Sequence, residues 1–152
     1  MELPPELSNC LCDISECKEC RGKVCLKADG KQYLHIKVNG CLEISPNLKR
    51  ANCVILHPIR KDRIHVFIIG VKTRHYDLDE VKEKMENTLK ILDGILNCSL
   101  VSFPVIYAES HGRSMKRYAL VKKIEYKGKR YLIDFRKYCE DIREAECILK
   151  EK

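Results

Sequence analysis

A chain of 152 residues can build one domain with a proper hydrophobic core and is short for two. Its residues are 45% hydrophobic and 34% charged, a globular composition, and no apolar run approaches the length that spans a bilayer, so no membrane partner is expected. Lys and Arg number 29 against 22 Asp and Glu, and the net charge of +7 suits an anionic partner, most simply DNA or RNA, and equally a soluble surface with surplus lysine.

The acidic start, from Met1 to Glu6, is unlike a signal or transit peptide and points to a cytoplasmic protein. Abundant Lys and Glu, with Gln32 the one glutamine and no Trp, match the balance of thermophilic proteins. Ten cysteines suggest metal binding in a reducing cytosol, yet intracellular proteins of hyperthermophiles also carry disulfides.

Residues 1–25 hold Cys10, Cys12, Cys17, Cys20 and Cys25 with little hydrophobic periodicity, so this segment needs cross-links to hold a shape. Cys10, Cys12, Cys17 and Cys20 have spacing that brings four thiolates to one tetrahedral zinc. Cys12, Cys17 and Cys20 also match a plant-type iron–sulfur loop that takes a distant fourth ligand. The third reading is a staple in which Cys10 or Cys12 joins Cys25, Cys41 or Cys53.

From residue 22 the pattern turns to short strands. Asp29-Gly30 and Asn39-Gly40 are hairpin dipeptides, so residues 24–28, 32–38 and 41–44 are expected to pair as a meander. Leu34, Ile36 and Val38 then face a core, while Tyr33, His35 and Lys37 face water. Residues 53–56 and 64–71 are nearly continuous Val- and Ile-rich runs, as in central strands covered on both faces, with Pro58 closing the first. Asp77 and Glu80 form a D-x-x-E capping box that opens a helix after Tyr76. Leu78, Val81, Met85, Leu89 and Leu92 line one face of it, Glu80–Lys84 and Glu86–Lys90 are spaced to pair on the other, and Gly94 is placed to stop it.

Residues 100–108 read as another buried strand, with Val101, Phe103, Val105 and Tyr107 on one face. A strand, a long amphipathic helix and a further strand form a parallel crossover unit. Glu109, Ser110, His111 and Arg113 gather where that strand ends, which is where α/β sheets usually bind ligands. Residues 117–126 and 129–135 flank Lys127-Gly128 as a basic hairpin. Its lysines and arginines, with Tyr118, Tyr126 and Tyr131 between them, suit a phosphate backbone and stacked bases; edge lysines that discourage aggregation are the alternative. Phe135, Tyr138, Ile142, Ala145 and Leu149 are spaced for a C-terminal helix with Cys139 and Cys147 near its buried edge.

Asn52-Cys53-Val54-Ile55-Leu56 and Ile68-Ile69-Gly70-Val71-Lys72, followed by the helix over 76–96, resemble the restriction-endonuclease-like superfamily, the PD-(D/E)xK nucleases. The likeness is to small archaeal members, and it spans residues 41–135 in pattern. It implies an α/β fold with a mixed central sheet and a crossover helix, residues 26–152, preceded by the small Cys-rich segment, residues 1–25. The family's chemistry uses an Asp and a Glu to hold magnesium against the scissile phosphate, with the Lys orienting or activating water. Lys72 matches that lysine. Asn52 and Gly70 stand at the two carboxylate positions and hold no carboxylate, so magnesium binding is not expected.

A degenerate, non-catalytic member that binds DNA or RNA is therefore the favoured reading. Lys72, Arg74, Arg113, Lys122, Lys123, Lys127, Lys129 and Arg130 are its contact candidates. The alternatives are a metal-dependent nuclease using a displaced carboxylate, Glu43 or Glu109, and a Cys-rich zinc or redox module in which the α/β body is a scaffold.

Overall fold

The computed structural model describes residues 3–11, 32–38, 41, 53–73, 76–109 and 123–140, and the statements below concern those residues. In chain order they form α1 (Pro5–Ser8), β1 (Leu34–Lys37), β2 (Cys53–Arg60), β3 (Arg63–Lys72), α2 (Leu78–Leu96), β4 (Ser99–Ala108), β5 (Lys123–Tyr126), β6 (Lys129–Leu132) and β7 (Asp134–Lys137). Five strands make one sheet in the order β1-β2-β3-β4-β7, and β5 and β6 make a separate hairpin. β1–β2 and β2–β3 are antiparallel, β3–β4 and β4–β7 parallel. The expected α/β class, mixed sheet and crossover helix are present, since α2 carries the chain from β3 back to the start of β4, as a parallel pair requires.

The two faces of the sheet follow from strand alternation. Val54, Leu56, Ile64, Val66, Ile68 and Ile106 point to one side and pack with Val81, Met85, Leu89 and Leu92 of α2. Cys53, Ile55, Phe67, Ile69, Phe103, Val105 and Tyr107 point to the other and form a second core. Both faces of β2 and β3 are buried, as their unbroken apolar runs predict. Asp77 caps α2, its carboxylate accepting from the amides of Asp79 at 3.0 Å and Glu80 at 3.4 Å.

Several expectations need correction. His35 does not face water; it is 6% exposed, because its partner on β2 is Ile55, whose side of the sheet is the second core. Pro58 does not end β2, which runs to Arg60 through a register shift between Pro58 and Arg60, beyond the residues of β2 that pair with β1. Gly94 does not stop α2. The helix continues to Leu96 and is capped by Asn97 at φ 52°, asparagine being one of the few non-glycine residues that adopt the left-handed conformation. The hairpin's second strand ends at Leu132, and Phe135 lies in β7, paired with Ile106. Tyr138 and Cys139 sit in the turn after β7 rather than on a helix, and Cys139 is exposed. Pairing with β4 outweighs the helical spacing here, because Phe135 reaches the core equally well as one step of a strand. Of the expected meander, residues 24–28 and 42–44 lie outside the described residues.

Candidate nucleic-acid interface

The carboxyl end of β3 is the centre of the predicted site. Gly70 and Lys72 share the face covered by α2, as their two-residue spacing requires. A Cβ on Gly70 would lie 3.2 Å from Val81 Cγ1 and 3.7 Å from Met85 Cε. The helix therefore rests where a side chain at position 70 would stand. Lys72 is half-buried. Burial, followed by the Lys84 ammonium beside it, lowers its pKa, and Glu80 acts weakly in the other direction. Lys84 and Glu80 pair at 3.4 Å, one turn apart on α2. The strand end is tied down on its backbone, where the Lys72 carbonyl accepts from the Tyr138 hydroxyl.

These residues do not fit the magnesium that the resemblance implies. Gly70 has no donor atom, the space beside it is filled by Val81, and the next side chain on that face is a cation. Among the described residues, no group of three or more His, Cys, Asp or Glu is placed to hold a metal. Glu109 is exposed and lies one residue beyond Ala108, which is the residue that pairs with Lys72. Asn52, Glu43, Arg74, Arg113 and Lys122 lie outside the described residues.

The hairpin is present, with its turn at Lys127 and Gly128, both at positive φ (51° and 77°). Tyr126 and Tyr131 serve the body of the protein rather than offering their rings for stacking, and Tyr118 lies outside the described residues. Tyr126 packs against the core and donates to Asp93 Oδ2 at 2.6 Å; Tyr131 packs there too and reaches the Leu100 carbonyl at 3.4 Å. The Glu86 carboxylate accepts from the Glu125 amide at 2.7 Å. Much of the hairpin's charge is used internally: Lys127 pairs with Asp93 at 2.7 Å and Arg130 with Glu125 at 3.1 Å. Lys123 and Lys129 are exposed. Beneath the turn lies a cavity of about 180 Å³ lined by Asp93, Cys98, Leu100, Tyr126, Lys129 and Tyr131, among others. Lys127 and the Tyr126 hydroxyl hold Asp93 below the usual carboxylate range. Burial, then the Asp93 carboxylate, pushes Tyr126 up to about 12.

Cys10 and Cys41 are joined in a disulfide, one of the pairings the spacing allows. Cys53, fully buried in β2, is disulfide-bonded as well. Cys10 thus has no thiolate for zinc while this bond is intact; Cys12, Cys17 and Cys20 lie outside the described residues.

Sequence reasoning overlooked Lys84 and Lys137 as members of the Lys72 neighbourhood. The i,i+4 pairing marked Lys84 only as a partner of Glu80. Lys137 was hidden by the helical reading of its segment, and only the long-range pairing of β7 with β4 brings it to the same edge. Comparison of the chain with family models, with curated proteins and with solved structures found no match. Among the described residues, no helix is long and apolar enough to cross a membrane.

Proposed function

We propose that this chain is a nucleic-acid-binding protein on a restriction-endonuclease-like core, and that it binds without cutting. The observation that carries the reading is Gly70. At the position where the resembled nucleases hold a carboxylate, the chain has no side chain, and α2 takes up the room, 3.2 Å from where a Cβ would stand. The order of strand, turn, strand ending in lysine, crossover helix and parallel strand supports the fold assignment. The net charge of +7 and the exposed Lys123 and Lys129 support an anionic partner.

Binding of labelled duplex and single-stranded DNA and RNA, followed by fluorescence anisotropy across a salt series, tests the reading. The expected result is a logarithmic affinity that falls linearly with logarithmic salt concentration, because each neutralised phosphate releases counterions. Undetectable binding at low ionic strength would sink it. A parallel incubation with magnesium or manganese should leave the nucleic acid intact, and cleavage abolished by Lys72→Ala would instead establish a nuclease.

A further inference from the structure

The parallel pairing of β3, β4 and β7 sets three residues in a row at the carboxyl edge of the sheet. Lys72 is opposite Ala108, and Ala108 is opposite Lys137. Paired residues of parallel strands share a face, and Gly70, two residues before Lys72, fixes that face as the one under α2. Neighbouring strands are about 4.8 Å apart, so the two lysine stems start about 10 Å apart with Ala108, itself fully buried, on the strand between them. Lys84 reaches the same place from α2 above.

We propose that Lys72, Lys84 and Lys137, arranged around Ala108, form a metal-free seat for a phosphate group. On the reading argued above, its occupant is a backbone phosphate of the bound nucleic acid.

Three features of the chain build this seat. First, Gly70 lets α2 settle onto β3 at Val81 and Met85, which brings Lys84 down to the strand. Second, one turn fastens both strand ends: the Tyr138 hydroxyl donates to the Lys72 carbonyl, and the Glu140 carboxylate accepts from the Lys137 amide at 2.9 Å. The lysine backbones are thereby fixed relative to each other before a ligand arrives, which lowers the ordering cost of binding. Third, Lys72, Lys84, Arg136 and Lys137 stand against Glu80, Asp134 and Glu140 at this edge, a surplus of one cation. Glu80 is engaged with Lys84, Glu140 with Arg136 and the Lys137 amide, and Glu109 lies beyond the row. Burial first, and then the neighbouring Lys84 ammonium, lowers the Lys72 pKa, and a bound anion acts in the opposite direction. The carboxyl ends of parallel strands are also where α/β sheets generally place ligands.

Two measurements on the full chain test the proposal. In a titration of the labelled protein with inorganic phosphate and with pyrophosphate, the backbone amide signals of Lys72, Ala108 and Lys137 should shift together and saturate, and Lys137→Gln should abolish the response. In the salt series, Lys72→Gln and Lys137→Gln should each reduce the slope by about one, as expected for loss of one phosphate contact, with affinity falling uniformly across sequences. Lys137 is exposed, so its variant keeps the fold even where a change at Lys72 perturbs it. An Ala108 amide that does not respond saturably in the wild type would overturn the seat. So would unchanged slopes in both variants of a protein that still binds nucleic acid, which leaves the broader reading standing. Saturable phosphate binding in a protein that ignores nucleic acid would uphold the seat and remove the broader reading.

Discussion

Gly70 decides more than the absence of one ligand. In an ordinary strand a glycine weakens packing and costs backbone entropy, so its presence in the central strand needs a reason, and the approach of Val81 supplies one. A carboxylate placed at position 70 should therefore fail to create a metal site. Gly70→Glu forces its Cβ against Val81 Cγ1 and buries a charge beneath a helix, and should destabilise the protein by about 1–3 kcal/mol. Gly70→Glu combined with Val81→Ala should cost less than the sum of the two single changes, because the second makes room for the first. Urea midpoints at constant slope measure both, and simple additivity would show that the contact does not matter. On the resemblance to the PD-(D/E)xK nucleases, position 70 reads in the sequence as one without the expected carboxylate. What was not legible was that the helix fills the gap, because Val81 and Met85 read only as two members of an apolar stripe.

Among the elements, α2 and its flanking strands were the most legible, since their signals are local: two apolar runs, an Asp cap and a three-and-four spacing. The end of α2 was misjudged because Gly94 and Asn97 can both adopt the left-handed conformation, and only packing chooses between them. β7 was invisible for a different reason, as its pairing with β4 joins segments far apart in the chain. The hairpin was found, but its role changes once Asp93 is seen beneath it. Asp93 joins α2 to β5 through the Tyr126 hydroxyl and Lys127, so Asp93→Ala should loosen the hairpin and cost about 1–3 kcal/mol at neutral pH. The dependence on pH has a definite sign at each end. Asp93 is held below its ordinary 3.8, so its contribution is complete above that value and disappears as pH falls through the lower folded value. Tyr126 is raised from 10.0 to about 12, so its contribution is complete below 10 and disappears as pH rises through 12. The stability gap between wild type and Asp93→Ala should accordingly narrow at both extremes, and ultraviolet titration should show Tyr126 ionising at lower pH in the variant. A gap that is constant from acid to alkali would separate Asp93 from the docking of the hairpin.

At the scale of the whole molecule, one covalent link and one pattern of charge matter most. The Cys10–Cys41 bond spans a sequence separation of 31 and ties the end of α1 to the chain beyond β1. Loop closure on that scale stabilises by about 3–4 kcal/mol in the chain-entropy account, so Cys41→Ser should lower the unfolding free energy by that order, and an unchanged midpoint would contradict the estimate. The charge pattern is legible in the sequence at the hairpin and at Lys72 but not at Lys137, whose place depends on the long-range pairing of β7 with β4. Among the described residues, two exposed lysines mark the opposite ends of β4. Lys129 lies by Ser99 and Leu100, where β4 begins, and Lys137 lies by Ala108, where β4 ends. Ten residues of strand put these places about 30 Å apart, well beyond the screening length of about 8 Å at physiological ionic strength. A ligand held only at the carboxyl edge responds to Lys137 and not to Lys129, whereas an extended duplex that follows the sheet from end to end responds to both. For that extended ligand, Lys129→Gln and Lys137→Gln should each weaken binding, and the double variant should lose the sum of the two free energies, since sites this far apart share no partner. A short oligonucleotide of a few nucleotides should keep the Lys137 effect and lose the Lys129 effect. Equal sensitivity of short and long ligands to Lys129 would place the hairpin, not the strand ends, at the centre of binding.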